Sequence, residues 1–193
     1  PMLWGVPPPP QGNRPVTNVR NLASPFWIGT LRHAELRCLV PATAFALWSG
    51  SAGAKRQHWF SVPSQPIFAF AGILRQGEDW PCFAVLTTDA NRLVDHYHPE
   101  TMPVILHPED YARWLSGEWR DAVRLAAPFP SQLMTVGDGP PPQRNSPQSA
   151  GCSDFFRICF HSAGVTRPTV SRDWRIRSMS ASFGSALVAA RVT

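Results

Sequence analysis

Short runs of aliphatic and aromatic residues, separated by proline, glycine or polar clusters, recur through the first 135 residues. Four of them read RCLVPA, HWFSV, PIFAFAGIL and CFAVLTT. Apolar runs of this length, bounded by turn-forming residues, predict buried strands.

Two segments carry recognisable helix starts, and a third carries a weaker one. Ser24 before Pro25 reads as an N-cap followed by proline at the first helical position, and predicts a helix over PFWIGTLRHAEL. In PEDYARWLSG, Tyr111, Trp114 and Leu115 share one helical face, and Gly117 is predicted to end the helix. DANRLVDHY is predicted as a short third helix. Because the strands do not alternate regularly with helices, the fold class is predicted as α+β, with a curved, partly closed mixed sheet and a few short flanking helices.

The composition changes at Val136. The sequence VGDGPPPQRNSPQSAGCSD is rich in Pro, Gly, Ser and Gln and reads as a linker, and an Arg/Ser-rich end follows it. One apolar piece, DFFRICF, is compatible with an added strand. We therefore predict a domain over residues 1–135 and a poorly structured tail over residues 136–193.

The length of 193 residues and the 44% hydrophobic content indicate a globular chain with a real core. The net charge is +5, but residues 1–135 carry eleven Lys and Arg against ten Asp and Glu, so most of the excess lies in the tail. Any nucleic-acid site in the main domain must then depend on a few placed arginines. No apolar run approaches the roughly 20 residues of a membrane span, and no signal peptide opens the sequence. No membrane partner and a cytoplasmic location are expected.

The four cysteines, Cys38, Cys82, Cys152 and Cys159, form no CxxC pair, so free and mostly buried thiols are predicted. Three histidines lie close together in sequence, at positions 96, 98 and 107. No carboxylate or cysteine pattern completes a metal site around them. We predict neither a metal nor another cofactor.

The order of several segments resembles that of one protein family. From Met2 to Leu115 the chain contains MLWG, TNVRN, SPFW, RCLVPATAF, FAFAGIL, LTTDAN, HPETMPVIL and YARWL. In this succession and spacing the chain resembles the SRAP family, the SOS response-associated peptidase domain.

The resemblance implies a role in the SOS response to DNA damage. Members of the family capture abasic sites in single-stranded DNA and have an associated autopeptidase activity. A cysteine made N-terminal by removal of the initiator methionine reacts with the opened sugar to form a thiazolidine, a DNA–protein covalent crosslink. The partner implied for this chain is therefore single-stranded DNA containing abasic sites.

The resemblance also implies site residues. Asn18 matches the asparagine of the family's N-x-R motif, Arg20 the arginine that binds DNA phosphate, and His98 the histidine that acts as acid or base beside the sugar. Without the resemblance, Asn18 reads as a turn residue, Arg20 as a surface charge and His98 as a solvated loop histidine.

Four further residues are candidates for DNA contact. Trp4, beside Gly5, is a candidate for stacking on a base, and equally for a place in the core. Thr87 and Thr88 are candidates for bonds to phosphate, or they only end a strand.

The chain departs from the family pattern at two catalytic positions. Leu47 occupies the place of a glutamate, and leucine transfers no proton. The nucleophilic cysteine has no counterpart, because Cys38 matches a structural position. The chain is therefore expected to be a fragment or a degenerate relative, inactive or truncated. A secondary amine at Pro1 offers iminium formation with the sugar aldehyde as a minor alternative.

A second class of function uses other features of the sequence. The run Pro7 to Pro10, read as an extended polyproline segment, and the basic tail are compatible with a non-catalytic protein-interaction module. For the SRAP-like alternative, the same prolines form a rigid wall of the DNA groove. Salt-sensitive binding to single-stranded DNA that depends on Arg20 distinguishes the two.

Overall fold

The computed structural model describes residues 2–77 and 80–140, and the backbone of residues 157–159. The strands are β1 Leu3–Trp4, β2 Asn18–Val19, β3 Arg37–Ala42, β4 Ala44–Ser49, β5 Arg56–Ser61, β6 Phe68–Gln76, β7 Pro81–Asp89, β8 Thr101–Pro103, β9 Ile105–Leu106, β10 Thr135–Gly137 and β11 Arg157–Cys159. The α-helices are α1 Pro25–Leu31, α2 Arg92–Asp95, α3 Tyr111–Ser116 and α4 Trp119–Arg124. Short 3-10 turns cover Ala34–Leu36, Pro108–Asp110 and Ser131–Leu133.

The strands form two sheets. The first contains seven strands around β7 and β6, with β1 and β2 parallel to β7 and with β3, β8 and β9 in antiparallel pairs. The second has the order β10–β5–β4–β11. The seven-stranded sheet is mixed and is not closed into a barrel. The predicted α+β class is confirmed.

The first sheet is covered on both faces. Alternate residues of β7 point to opposite sides, so Phe83 and Val85 join a core shared with β4 and β5 of the second sheet. Ala84 and Leu86 join a second core with Trp27 of α1 and with α3 and α4. This double burial explains why β6 and β7 appear in the sequence as continuous apolar runs and not as alternating ones.

The helix predictions are right in position and differ in detail. The first helix begins at Pro25 but ends at Leu31, and the Ser24 side chain makes no capping bond; its carbonyl accepts the backbone N–H groups of Trp27 and Ile28 instead. Trp114 of α3 is fully buried, and its indole N–H donates to the Cys38 carbonyl at 2.8 Å.

Gly117 follows directly after α3, as predicted, but it lacks the left-handed backbone typical of a glycine at the end of a helix. Its φ of −69° is not left-handed. A Cβ at this position would lie 2.5 Å from the Arg113 carbonyl oxygen. Close approach to the last helical turn, and not a special backbone conformation, therefore requires glycine there.

The segment after residue 135 contributes to the second sheet where it is described. β10 crosses the predicted domain boundary and pairs antiparallel with β5. β11 lies within the segment DFFRICF and pairs parallel with β4. The remainder of the predicted tail, residues 141–156 and 160–193, lies outside the described residues, as does Pro1. Among the helices of the described segments, none has the length and apolar character needed to cross a bilayer.

Candidate nucleic-acid interface

Asn18 lies on the two-residue strand β2, directly opposite Val85 of β7. Paired residues of neighbouring strands point to the same face, and Val85 belongs to the core between the sheets. Asn18 therefore lies at the edge of that core. Its amide oxygen is enclosed and has no hydrogen-bond partner among the described residues. Buried polar atoms are almost always hydrogen-bonded, so this one requires an explanation.

Arg20 follows directly after β2. Its guanidinium pairs with the carboxylate of Asp89, at the end of β7. Both side chains are open to solvent, at 45% and 79% exposure. An exposed pair of this kind contributes only about 0–1 kcal/mol, so the guanidinium remains available to a competing anion such as phosphate.

Trp4 and Gly5 connect β1 to the segment that leads into β2. The Trp4 indole N–H donates to the Thr17 carbonyl at 3.0 Å, and its ring stacks on Phe83 with centroids 6.5 Å apart. Gly5 has φ +125° and donates its N–H to the Phe83 carbonyl at 2.8 Å. The bond from Trp4 fixes the position of Thr17, the residue directly before Asn18. DNA contact by Trp4 and Gly5 stays a prediction.

Thr87 and Thr88 are buried at the end of β7. The Thr87 hydroxyl donates to the Val19 carbonyl at 3.4 Å, and the Thr88 hydroxyl donates to the Ala126 carbonyl at 3.2 Å. Both bonds fasten the end of β7, one to β2 and one to the segment after α4. Their predicted contact with phosphate remains untested.

His98 is held firmly, unlike a solvated loop residue. It is 9% exposed, and its backbone N–H donates to the Val94 carbonyl at 2.8 Å, closing the end of α2. Its ring Nδ1 lies 3.3 Å from the Trp48 carbonyl oxygen of β4. That contact joins the imidazole to the backbone of β4 one residue after Leu47, which is 3% exposed and packs in the core between the sheets. The predicted loss of a catalytic glutamate at Leu47 and the acid–base role of His98 stay predictions.

The end of β7 brings Arg20 and the segment after His98 near each other. β2 runs along one part of β7, and β8, which begins at Thr101, pairs with Asp89 at its end. Neighbouring strands lie about 4.8 Å apart, so strands on either side of β7 are separated by about 10 Å. The amide oxygen of Asn18 accepts no hydrogen bond from His98, because it has no partner in residues 2–77 or 80–140.

Sequence reasoning missed a polar cluster beside Leu47. His58 lies directly opposite Leu47 on β5, and its Nε2 is 2.7 Å from the Ser49 hydroxyl. The His58 ring also lies 4.5 Å from that of Tyr97. No motif links these residues, because strand pairing joins Leu47, Ser49 and His58, and packing of the segment after α2 adds Tyr97.

The motif residue Asn91 has a structural task. Its side-chain oxygen accepts the N–H groups of Leu93 and Val94 and so caps α2. Its side-chain nitrogen donates to the Phe129 carbonyl at 2.6 Å. The asparagine of the segment LTTDAN therefore positions the helix that leads to His98.

The described thiols are not activated. Cys38 and Cys82 are free and buried, as predicted; Cys152 and the side chain of Cys159 lie outside the described part of the chain. Burial raises the pKa of the Cys38 thiol to about 12 and also raises the pKa of Cys82. Nucleophilic chemistry needs the thiolate, so neither cysteine is suited to it. No group of three or more His, Cys, Asp or Glu residues that could hold a metal ion occurs within the described ranges.

Comparison with solved structures identifies the fold. A protein from Bacteroides thetaiotaomicron is 28% identical with a TM-score of 0.55, over 62% of this chain and 56% of that one. A protein from Bordetella bronchiseptica is 22% identical (TM-score 0.61, 70% of this chain and 74% of that chain). A phage-related protein from the same organism is also 22% identical (TM-score 0.58, 70% and 68%). The chain thus spans little more than half the length of the Bacteroides protein.

The family comparison covers the region in which these residues lie. No curated protein matches the chain. The model of the family described as SOS response associated peptidase (SRAP) matches residues 1–138, which include both sheets up to β10 and every candidate site residue. The chain belongs to the SOS response associated peptidase family.

Proposed function

We propose that this chain binds single-stranded DNA in the DNA-damage response, with abasic sites as the preferred target, where β2 and the His98 segment flank the end of β7. One observation carries the proposal. The enclosed amide oxygen of Asn18 has no partner, at a position that matches the family's functional asparagine. Such a group costs about 1–3 kcal/mol, and a catalytic role is one of the explanations for an unsatisfied buried polar atom.

Each of the three residues has a chemically suitable role. Arg20 exchanges the weak pairing with Asp89 for a DNA phosphate. Asn18 offers an amide to the opened sugar, and rotation of the amide exchanges its oxygen and nitrogen. His98, oriented by the Trp48 carbonyl, is positioned as a proton donor or acceptor.

Binding without a covalent step is what the described residues support. Crosslinking of the family type needs a thiolate and an acid–base pair. The pKa values of Cys38 and Cys82 are raised by burial, and Leu47 transfers no proton. We therefore assign residues 2–140 the recognition of DNA and not the formation of the thiazolidine.

The proposal is tested by fluorescence anisotropy with a labelled 20-nucleotide single strand, with and without one central abasic site. Removing one phosphate contact by Arg20→Ala should weaken binding several-fold and reduce the slope of log affinity against log salt by about 0.7. Asp89→Asn should strengthen binding, because it frees the guanidinium and removes a like charge. Arg113→Ala is the matched control, since Arg113 is an exposed arginine of α3 that pairs with Asp110 in the preceding turn.

Binding that is indifferent to salt and to Arg20 would contradict the proposal and favour the protein-interaction module. The proline run gives that alternative limited support. The Gly12 N–H donates to the Pro9 carbonyl at 2.8 Å, and Val6 bridges Val16, so the run turns within a closed loop. The expected extended polyproline segment is therefore interrupted at Pro10.

A further inference from the structure

An open cavity of about 380 Å³ lies beside the His98 segment. One side of the cavity is formed by α2 and the residues that follow this helix, and the other side by the turn Ser131–Leu133. Its lining residues are Arg92, Leu93, His96, Tyr97, Ser131 and Gln132. The volume falls within the range of about 300–1,000 Å³ that is typical of small-ligand sites. None of these residues belongs to the proposed Asn18–Arg20–His98 site.

Arg92 supplies an uncommitted positive charge to this cavity. Its side chain is exposed, and it forms no ion pair or ring contact within the part of the chain that the structure describes. By contrast, Arg20, Arg113 and Arg124 each pair with a carboxylate. A free guanidinium at the mouth of a cavity is suited to a phosphate group.

Tyr97 supplies a rigid aromatic surface. Its ring packs at 4.5 Å from His58, at 6.0 Å from Phe60 and at 5.0 Å from His96. Three neighbouring rings restrict the rotation of this half-buried side chain, so little entropy remains to be lost when a ligand stacks on it. A fixed ring beside a basic group is the combination with which proteins bind unpaired bases.

We propose that this cavity, the Tyr97 pocket, binds the nucleotide adjacent to the abasic site. The base stacks on Tyr97, the phosphate pairs with Arg92, and Ser131 and Gln132 offer hydrogen-bonding groups to the base edge. Tyr97 directly precedes His98, so the pocket borders the residue that the proposed function sets beside the sugar. The inference rests on the proposed function, because it needs a DNA strand at His98.

A double-mutant cycle on protein and DNA tests the pocket. The probes are the labelled single strand with one abasic site and two matched strands in which the base on its 5′ or its 3′ side is also removed. For the wild-type protein, removal of the base that enters the pocket should weaken binding about 10-fold. Tyr97→Leu should weaken binding to the single-abasic strand by a similar factor. The affinity of this variant should not fall further when the adjacent base is also removed. Tyr97→Phe retains the ring and should behave like the wild type.

Arg92→Glu is a second variant that does not disturb packing, because the side chain is exposed. It should weaken binding about 10-fold or more, whereas Arg113→Glu on α3 should not. If Arg20→Ala weakens binding but Arg92→Glu and Tyr97→Leu bind as the wild type does, the pocket inference is overturned and the proposed function stands. If the wild-type protein binds no single-stranded DNA, both are overturned.

Discussion

Asn18 and Asn91 lead to opposite stability predictions for the same substitution. Asn91 is buried and fully bonded: its oxygen caps α2, and its nitrogen donates to the Phe129 carbonyl. Asn18 has an enclosed amide oxygen without a partner. Replacement by alanine therefore removes several hydrogen bonds at Asn91, whereas at Asn18 it removes an unsatisfied oxygen.

The expected magnitudes follow from these contacts. Asn91→Ala loses a helix cap, which contributes about 0.5–2 kcal/mol, and leaves a buried carbonyl unpaired at about 1–3 kcal/mol. We expect the free energy of unfolding to fall by about 2–4 kcal/mol. Asn18→Ala removes an unsatisfied oxygen that costs about 1–3 kcal/mol and loses some packing. Its free energy of unfolding should stay the same or rise by about 1 kcal/mol, while binding to single-stranded DNA falls.

Urea unfolding followed by tryptophan fluorescence measures both variants, and an unchanged m-value confirms that the denatured state is comparable. A loss of more than about 1 kcal/mol for Asn18→Ala would show that the amide oxygen is hydrogen-bonded in solution. That result would remove the observation on which the proposed function depends. A loss below about 0.5 kcal/mol for Asn91→Ala would refute the assigned capping contacts.

Three further predictions concern the two cores. Gly72→Ala places a Cβ 2.8 Å from Val40 and 2.9 Å from the Cys38 sulfur, so thermal or urea unfolding should show a loss of about 1–3 kcal/mol; an unchanged stability would contradict the packing. Arg37 is 2% exposed, and two of its guanidinium nitrogens have no partner among the described residues, whereas the third donates to the Gly117 carbonyl at 2.7 Å. Arg37→Met should leave the free energy of unfolding unchanged or raise it by up to about 3 kcal/mol; a clear loss would show that the bond to Gly117 outweighs the cost of the two unpaired nitrogens. The pKa of the Cys38 thiol rises from 9.0 to about 12 on folding. The stability contributed by the buried, protonated thiol is therefore complete below pH 9 and is lost as pH rises toward 12, at up to about 1.4 kcal/mol per pH unit. Cys38→Ala should reduce that slope in urea titrations at several pH values; an equal slope in both proteins would show that the thiol is not buried.

The sequence correctly predicted the strands that are buried along most of their length. β3 spans the residues of its predicted run, and β6 and β7 agree within two residues, because strands covered on both faces are apolar throughout. The strand β4 was expected only through the family resemblance, and α4 was not predicted. The segment that forms α4, WRDAVR, has too short and too polar a pattern to stand out.

The candidate residues could be identified from motif order, but not their surroundings. Motif order placed Asn18, Arg20, Leu47 and His98 in one family pattern, but it gave no sign that the His98 ring contacts the Trp48 carbonyl of β4. The unpartnered oxygen of Asn18 had no sequence signal. It arises where the two-residue strand β2 pairs with β7 at the edge of the core between the sheets.

The amino-acid sequence by itself determined the family, the apolar strands and the near-neutral charge of the main domain, because these depend on residue type and local order. Only the tertiary structure decided that His58 faces Leu47, that Arg20 pairs with Asp89, and that Tyr97 and Arg92 border one cavity. Each of these contacts joins segments through strand pairing or helix packing. Such pairing is set by the total burial of two cores, which no local stretch of sequence encodes.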